Sequence, residues 1–351
     1  MTERATYRII DANFNRAREA LRVIEEYCRF VLGHAVLTAQ AKELRHQLSA
    51  ALTRLDSDKL LACRDTVGDV GVGMAVEGQL KRAGLNDCLT AACKRLPEAL
   101  RVLAEVTQTA DPSAAASIEQ LRYRAYTLEK DIALHATPAA RFSGVALYVI
   151  ITSDGAERIR FLTDQCITGG ADAIQLRCKG LNDRHRLAVG SEFVKQCRSA
   201  GVVSLINDRV DLAMACDADG VHLGLEDMPV EQARHLQHKP LILGATTHNL
   251  DELAAACKEG PTYVAIGPAF ATATKPDLAP AGLDTIRQAV TRLAGTGIGH
   301  VAIGGIHQDN IDQVLQAGVQ TIAVCSAVTG ASDPAAACRQ LKERITHRGR
   351  S

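Results

Sequence analysis

The chain has 351 residues, a length that predicts about two domains. Its 40 basic and 40 acidic side chains cancel. This balance excludes the broad positive field with which proteins hold nucleic acid or an anionic membrane surface. The charged N-terminus and the lack of a long apolar run predict neither a signal peptide nor a membrane span, and hence a cytoplasmic protein. Eleven cysteines without a C-x-x-C pair predict small buried residues rather than a disulfide framework or a zinc site.

Residues from about 8 to 132 have the spacing of amphipathic helices. Apolar side chains recur at intervals of three and four, as at Ala17, Leu21, Ile24 and Cys28, and Arg and Glu fill the opposite face. No strand pattern appears in this part of the sequence. It therefore predicts an all-α bundle.

Two short motifs in the helical part bear on its function. EALRVIEE at 19–26 recurs as EALRVLAE at 98–105, which indicates two related helices. The glycine-rich GDVGVG at 68–73 lacks the Lys-Ser/Thr that follows a P-loop, so it predicts a flexible or ligand-contacting loop rather than a nucleotide site. The overlapping RDTVGD is polar and could line a site, but a structural loop is favoured.

The sequence changes character at HATPAARFSG, 135–144, where Pro, Gly and small residues coincide with the end of the helical spacing. We place the domain boundary here, which predicts an all-helical domain at 1–134 and a second domain at 135–351.

The second domain alternates short β-rich runs with amphipathic segments that end in Gly, the usual residue after a helix. The eight runs are ALYVIIT (146–152), DAIQLR (172–177), VSLIND (203–208), GVHLG (220–224), LILGAT (241–246), YVAIGPAF (263–270), HVAIGGI (300–306) and TIAVCS (321–326). Eight strands alternating with helices favour a parallel (βα)₈ TIM barrel over a doubly wound open sheet.

The stretch LINDRVDLAMACDADGVHLGLED, 205–227, ends two successive strands in acids. Asp208 and Asp227 could converge above the sheet and bind a cation, because consecutive parallel strands lie side by side. Alternatively, each could cap the helix that follows it. Taken alone, the two acids do not decide between a metal site and two caps.

The other predicted strands also end in residues suited to anions. Arg177, Lys179 and Lys275 would bring three positive charges to the mouth of the barrel, although a single basic residue there could simply be solvated. Together with the two acids, they imply a pyrophosphate held by a metal ion and basic side chains.

A second anion site is indicated at the end of strands seven and eight. In such barrels the loops after these strands often bind phosphate through backbone N–H groups, and Gly304, Gly305 and Ser326 fit that position. His222 alternates with apolar neighbours and is expected to be a hydrogen-bonded interior residue. The pattern assigns no role to His248 or His307.

Seven motifs in the second half occur in the order typical of a known family. They are QLRCK, LINDRVDLA, ADGVHLGLED, GATTHN, GPAFATATK, AIGGI and AVCSAV. Over residues 145–345 the chain resembles thiamine phosphate synthase. The resemblance implies a transferase that couples hydroxymethylpyrimidine diphosphate with thiazole phosphate, giving thiamine phosphate and pyrophosphate with Mg²⁺ as cofactor. Its implied partners are these two small molecules, and a homo-oligomer is possible.

The resemblance assigns roles residue by residue. Asp208 and Asp227 would bind Mg²⁺, and Lys275, Arg177 and Lys179 would serve catalysis. The implied pyrimidine diphosphate ligands are Gln175, Arg177, Lys179, Asn207, Thr246 and Lys275. The implied thiazole phosphate ligands are Thr272, Thr274, Gly305, Cys325 and Ser326.

The sequence departs from the family pattern at three positions. Cys178 stands where the family commonly has Glu, Leu225 where it often has Gln, and Thr246 where it often has Ser. The change at Thr246 keeps the hydroxyl, and the other two remove none of the charged groups on which the implied mechanism depends.

Two alternatives to this interpretation stay open. A thiazole tautomerase shares the barrel but needs no diphosphate and metal clamp. The N-terminal half resembles a domain fused ahead of the synthase in some bacteria, and it is either a pyrimidine phosphate kinase or a non-catalytic helical module.

Overall fold

The computed structural model describes residues 2–74, 81–272 and 278–347. Its contacts divide the chain into two units, Met1–Ala133 and Leu134–Ser351. Within the described ranges, none of the helices combines the length and the apolar character that crossing a bilayer requires.

The first unit is built from helices, as the spacing predicts. They are α1 (Thr2–Glu26), which continues into a π-helical turn (Tyr27–Val31), α2 (Ala35–Leu52), α3 (Ser57–Ala62), α4 (Leu85–Thr107) and the start of α5 (Pro112–Phe142). The predicted apolar face of α1 is buried, with Ala17, Leu21 and Ile24 at most 2% exposed. The repeated octapeptide lies in α1 and α4. GDVGVG lies in turns between α3 and α4.

The segment at 135–144 is helical over most of its length. Helix α5 continues through Pro138 and ends at Phe142. Its last turns, from residue 134, belong to the second unit. A change in composition therefore does not coincide here with a break in the helix.

The second unit is a closed barrel of eight parallel strands, which confirms the predicted fold class. The strands are β1 (Leu147–Thr152), β2 (Ala173–Arg177), β3 (Val203–Asn207), β4 (Gly220–Leu223), β5 (Ile242–Thr247), β6 (Tyr263–Ile266), β7 (Gly299–Ile303) and β8 (Thr321–Val324). Each strand pairs with the next, and β8 pairs with β1. All eight predicted runs form strands.

Helices alternate with the strands along the chain. They are α6 (Ala156–Thr168), α7 (Asp183–Ser199), α8 (Val210–Ala215), α9 (Val230–Leu236), α10 (Leu250–Glu259), α11 (Gly282–Leu293), α12 (Ile311–Gln316), α13 (Ser326–Thr329) and α14 (Pro334–His347). A larger apolar cluster includes residues of the strands and of these helices, and a smaller one is centred on Tyr148 and Tyr263. Successive strand residues point to opposite faces, so seven of the eight strands contribute to both clusters, and β4 contributes only to the larger one.

The smaller cluster contains a pair of stacked aromatic rings, Phe142 and Tyr263. Phe142, the last residue of α5, lies parallel to Tyr263 with ring centroids 4.2 Å apart. Both side chains are buried, Phe142 at 4% exposure and Tyr263 at 0%. The last residue of α5 is therefore part of the core of the barrel.

Candidate functional site

A cavity of about 1170 Å³ lies at the carboxyl ends of the strands. Every predicted site residue in the described part of the chain lines it. These residues are Gln175, Arg177, Lys179, Asn207, Asp208, Asp227, Thr246, Thr272, Gly305, Cys325 and Ser326. The predicted residues Thr274 and Lys275 lie outside the described residues. The fold thus brings the described set together, as parallel strands of a barrel require.

The two acids of the cavity do not cap helices. Helix α8 has Arg209 as its N-cap residue and α9 has Pro229, and neither helix has a side-chain cap. The alternative reading of Asp208 and Asp227 as caps is therefore wrong. Each acid lies in a loop directly after a strand, with its side chain on the cavity wall.

The two acids lie close enough for one carboxyl to affect the other. Asp208 adopts a left-handed backbone conformation with φ of 63°, and its N–H donates to the carbonyl of His222 at 2.8 Å. Asp227 Oδ2 accepts from the Gly224 N–H at 2.7 Å. Partial burial raises the pKa of Asp227, and the Asp208 carboxyl raises it further by hydrogen bonding and by its negative charge. Lys179 Nζ lies 3.3 Å from Asp208 Oδ2 and offsets part of this charge.

Basic side chains face the acids from β2 and the loop after it. Arg177 is the last residue of β2 and is half-buried, whereas the Lys179 side chain is 59% exposed. Gln175 lies two residues before Arg177, on the same face of the strand, and is only 2% exposed. The strand therefore places an amide at the floor of the cavity and two cations at its mouth.

Glycine is required on the opposite wall. Gly304 and Gly305 have φ of 96° and 66°, a region that disfavours other residues. A Cβ at Gly305 would lie 2.5 Å from the carbonyl oxygen of Ala271 and 2.9 Å from Cβ of Phe270. The backbone after β7 thus packs against the loop after β6. This close approach leaves backbone groups rather than side chains to face the cavity there.

Asn310 holds this glycine loop, and the sequence reasoning did not identify it. Its Nδ2 donates to the Gly305 carbonyl at 2.8 Å, and its Oδ1 accepts from the His307 N–H at 2.8 Å. His307 also lines the cavity. The signal that could have found Asn310 is the sequence AIGGIHQDN, where an amide follows the two glycines at the start of a helix.

His222 is an interior residue, as predicted, and is 9% exposed. Its Nδ1 lies 3.0 Å from the Tyr263 hydroxyl, and its Nε2 lies 2.9 Å from Thr246 Oγ1. Tyr263 is also 3.1 Å from the hydroxyl of Tyr148. The sequence reasoning missed both tyrosines. A phenol inside an otherwise apolar strand was the available signal, because a buried hydroxyl needs a partner.

Two known families match this chain, one in the helical first unit and one in the barrel. A family model described as thiamine monophosphate synthase matches residues 147–328. A second model, described as the ThiD2 family, matches residues 8–131.

Curated relatives align with almost the whole of this chain. The chain is 38% identical over 341 residues to the thiamine-phosphate synthase of Thermosynechococcus vestitus, covering 97% of this chain and 95% of the relative. It is 38% identical over 342 residues to that of Synechocystis sp., covering 97% of each chain. Among solved structures, a thiamine phosphate pyrophosphorylase from Pyrococcus furiosus is 38% identical with a TM-score of 0.53, covering 59% of this chain and 98% of its own.

Proposed function

The chain belongs to the thiamine monophosphate synthase family of transferases, and we propose that it couples 4-amino-2-methyl-5-(diphosphooxymethyl)pyrimidine with thiazole phosphate. The products are thiamine phosphate and pyrophosphate. One observation carries this proposal: two neighbouring carboxylates, Asp208 and Asp227, and two basic side chains line the same cavity. That combination suits a diphosphate with a divalent cation.

The basic residues hold the diphosphate in this proposal. Arg177 offers a planar fork that matches phosphate oxygens, and Lys179 adds a mobile point charge. Lys275, assigned by the family resemblance, completes the set. Their charge stabilises the negative charge that grows on the departing diphosphate, which makes these three residues catalytic.

Asp208 and Asp227 fit a magnesium ion. Mg²⁺ is usually bound by one or two carboxylates together with water and substrate phosphates. In the ranges that the structure covers, no group of three or more His, Cys, Asp or Glu side chains forms a complete protein cage, which zinc or calcium would favour. Burial raises the pKa of Asp227 most, and the neighbouring Asp208 carboxyl raises it further, so a cation bound between the two acids would stabilise their charged forms. Mg²⁺ bound here would supply charge neutralisation at the diphosphate.

The remaining residues bind the two rings and the second phosphate. Gln175, Asn207 and Thr246 contact the pyrimidine from the floor of the cavity. The thiazole phosphate is assigned to Thr272, Gly305, Cys325 and Ser326, which line the same cavity, and the family resemblance adds Thr274. Separate ends of one cavity therefore receive the two anionic groups.

The chemistry needs no covalent enzyme intermediate. The bond between the pyrimidine methylene and the diphosphate oxygen breaks first, and the amino-substituted ring stabilises the resulting cation. The lone pair of the thiazole nitrogen then forms the new bond to the methylene carbon, and the pyrophosphate leaves with its electron pair. The residues on this path bind, orient and neutralise charge, so no general base is assigned.

The test is an assay of the purified full-length protein with both substrates, with and without MgCl₂. We expect thiamine phosphate and pyrophosphate in equal amounts, and no product when a chelator removes the metal. A protein that only isomerises the thiazole phosphate, without consuming the pyrimidine diphosphate, would instead be a tautomerase. Assay of residues 135–351 alone would assign the activity to that part of the chain.

A further inference from the structure

A chain of hydrogen bonds crosses the interior of the barrel at the floor of the cavity. Gln175 Nε2 donates to the Tyr148 hydroxyl, which lies 3.1 Å from the Tyr263 hydroxyl. Tyr263 in turn lies 3.0 Å from His222 Nδ1, and His222 Nε2 lies 2.9 Å from Thr246 Oγ1. The two ends of the chain, Gln175 and Thr246, both line the cavity, and so does His222, whereas the two tyrosines do not.

Tyr263, at the centre of this hydrogen-bond chain, is tightly packed. Tyr263 lies between Phe142, stacked at 4.2 Å, and His222, nearly parallel at 5.7 Å. Tyr148 meets it edge to face at 6.1 Å. On the neighbouring strand, Gly244 leaves the space that the Tyr263 ring occupies, since a Cβ there would overlap the ring. Packing therefore fixes the hydroxyl of Tyr263 between its two partners.

The hydrogen bonds of this chain all run in one donor-to-acceptor direction. Burial raises the pKa of Tyr148 and of Tyr263, so both phenols keep their single proton. Because the Gln175 amide donates to Tyr148, the Tyr148 proton is available for Tyr263, and the Tyr263 proton for His222 Nδ1. With Nδ1 accepting from Tyr263, the imidazole carries its proton on Nε2 and donates it to Thr246 Oγ1. Thr246 is left to donate its own proton toward the cavity, and Gln175 to offer its Oε1.

We propose that Tyr148, Tyr263 and His222 are positioning residues for the pyrimidine substrate. By ordering the protons of the chain, they present Thr246 as a donor and Gln175 as an acceptor. An aminopyrimidine offers the complement, a ring nitrogen that accepts beside an exocyclic amine that donates. The reverse order of protons would present an acceptor at Thr246 and donors at Gln175, and it would mismatch the ring. This inference rests on the proposed function, since it concerns how that function's substrate is recognised.

The experiment compares two probes on the full-length protein in the presence of MgCl₂, using calorimetry. The pyrimidine diphosphate reports on ring recognition, and inorganic pyrophosphate reports on the anion clamp alone. Tyr263→Phe keeps the aromatic ring and removes only the hydroxyl. It should weaken pyrimidine diphosphate binding by roughly threefold to tenfold, the equivalent of one neutral hydrogen bond, and leave pyrophosphate binding unchanged.

Thr247→Val is the matched control. Thr247 is fully buried, adjacent to Thr246, and its hydroxyl donates to the Ala265 carbonyl at 3.2 Å on the other face of the strand. Its loss removes a buried hydroxyl without touching the chain, so binding of both probes should match the wild type.

A second variant tests the chain from its far end. Tyr148→Phe should show the same selectivity as Tyr263→Phe. In a double-mutant cycle, Tyr148→Phe should also cost less affinity in a Thr246→Val background than alone, because the two residues act through one chain. Wild-type affinity in both tyrosine variants, or equal loss of both probes, would overturn the inference. Wild-type protein that binds pyrophosphate but not the pyrimidine diphosphate would instead overturn the proposed function.

Discussion

Replacing Asp227 by Asn should stabilise the metal-free protein and weaken its response to magnesium. The folded-state pKa of Asp227 is raised by partial burial and by the neighbouring Asp208 carboxyl. Folding therefore favours its protonated form, and the stability that this adds at low pH is lost as the pH rises through the folded-state pKa. At neutral pH both carboxylates of the wild-type protein are charged, and the repulsion between Asp208 and Asp227 is fully present. Asn keeps an oxygen that can accept from the Gly224 N–H and removes the charge.

The size of the effect follows from the exposure of the pair. Two unit charges about 4 Å apart repel by about 1 kcal/mol in bulk water and by about 4 kcal/mol near a protein surface. Asp208 and Asp227 are both partly exposed, and Lys179 lies 3.3 Å from Asp208. Screening therefore brings the gain close to the lower value, about 1 kcal/mol. For a unit of this size, that raises Tm by roughly 2–4 °C.

The assay is a thermal melt at neutral pH with a chelator and then over a series of MgCl₂ concentrations. Wild-type Tm should rise with magnesium, because a cation that binds only the folded state stabilises it. Asp227→Asn should begin higher and rise less. Glu226→Gln removes a charge from the adjacent exposed residue and should follow the wild-type curve.

Two results would refute the reasoning. If Asp227→Asn melted at or below the wild-type temperature without metal, the two carboxyls would not repel each other in the folded state. If it retained the full magnesium response, the ion would bind elsewhere. The same melts repeated at low pH should bring the two metal-free curves together, because wild-type Asp227 is then protonated.

The other predictions concern the substrate groups and the domain boundary. Lys275→Ala should lower turnover by roughly 10² to 10³-fold, as other preorganised electrostatic groups do, whereas Arg177→Ala should mainly raise the KM for the pyrimidine diphosphate. Kinetics with each substrate varied would decide, and selective loss of thiazole phosphate affinity in Lys275→Ala would show that the anion sites are reversed. Gly305→Ala should abolish thiazole phosphate binding, because its Cβ would meet the Ala271 carbonyl at 2.5 Å, and calorimetry showing wild-type affinity would contradict this. Residues 135–351 alone should fold and retain most activity, so an insoluble fragment would argue against an independent barrel.

The barrel was predictable because each strand is a short β-rich run bounded by turn residues. Eight such runs, each followed by a helical segment, leave few topologies other than a parallel barrel. The continuity of α5 was not predictable in this way. Pro138 and the small residues around it read as a boundary, yet the helix continues to Phe142, whose ring packs on Tyr263. A long-range contact of this kind overrides local propensity and leaves no local pattern.

The composition of the cavity was predictable for the same reason as the fold. Residues that end parallel strands must meet at one face, so polar residues such as Asp208 and Asp227 could be grouped before the structure was known. The contacts that these residues make could not be predicted from the sequence. Neither the left-handed conformation of Asp208 nor the link from His222 to Tyr263 follows from spacing, because both depend on how neighbouring strands stagger.

Cys178, where the sequence departs from the family pattern, lies near the charged side chains of Asp154 and Arg186. Cys178 follows β2 and is half-buried, and burial, followed by the charge of Asp154, raises its pKa to about 11, while Arg186 acts in the opposite direction. Arg186 donates to the Lys179 carbonyl at 2.8 Å and lies 3.4 Å from Asp183. Its Nε is buried and makes no hydrogen bond to any of the described residues. The buried donor without a hydrogen bond therefore belongs to a side chain whose charge acts on Cys178, the position where the family pattern has Glu.

Cys178→Glu should therefore stabilise the protein. A charge-assisted hydrogen bond to Arg186 Nε is worth about 1.5–3 kcal/mol, and partial desolvation of the carboxylate offsets some of it. Repulsion from Asp154 is weak because that side chain is exposed. Cys178→Gln is the matched control, since it offers an oxygen acceptor without charge. Thermal melts should rank Glu above Gln and Gln above Cys. If Gln were the most stable of the three, repulsion from Asp154 would outweigh the ion pair, and the buried donor would need an acceptor but not a charge.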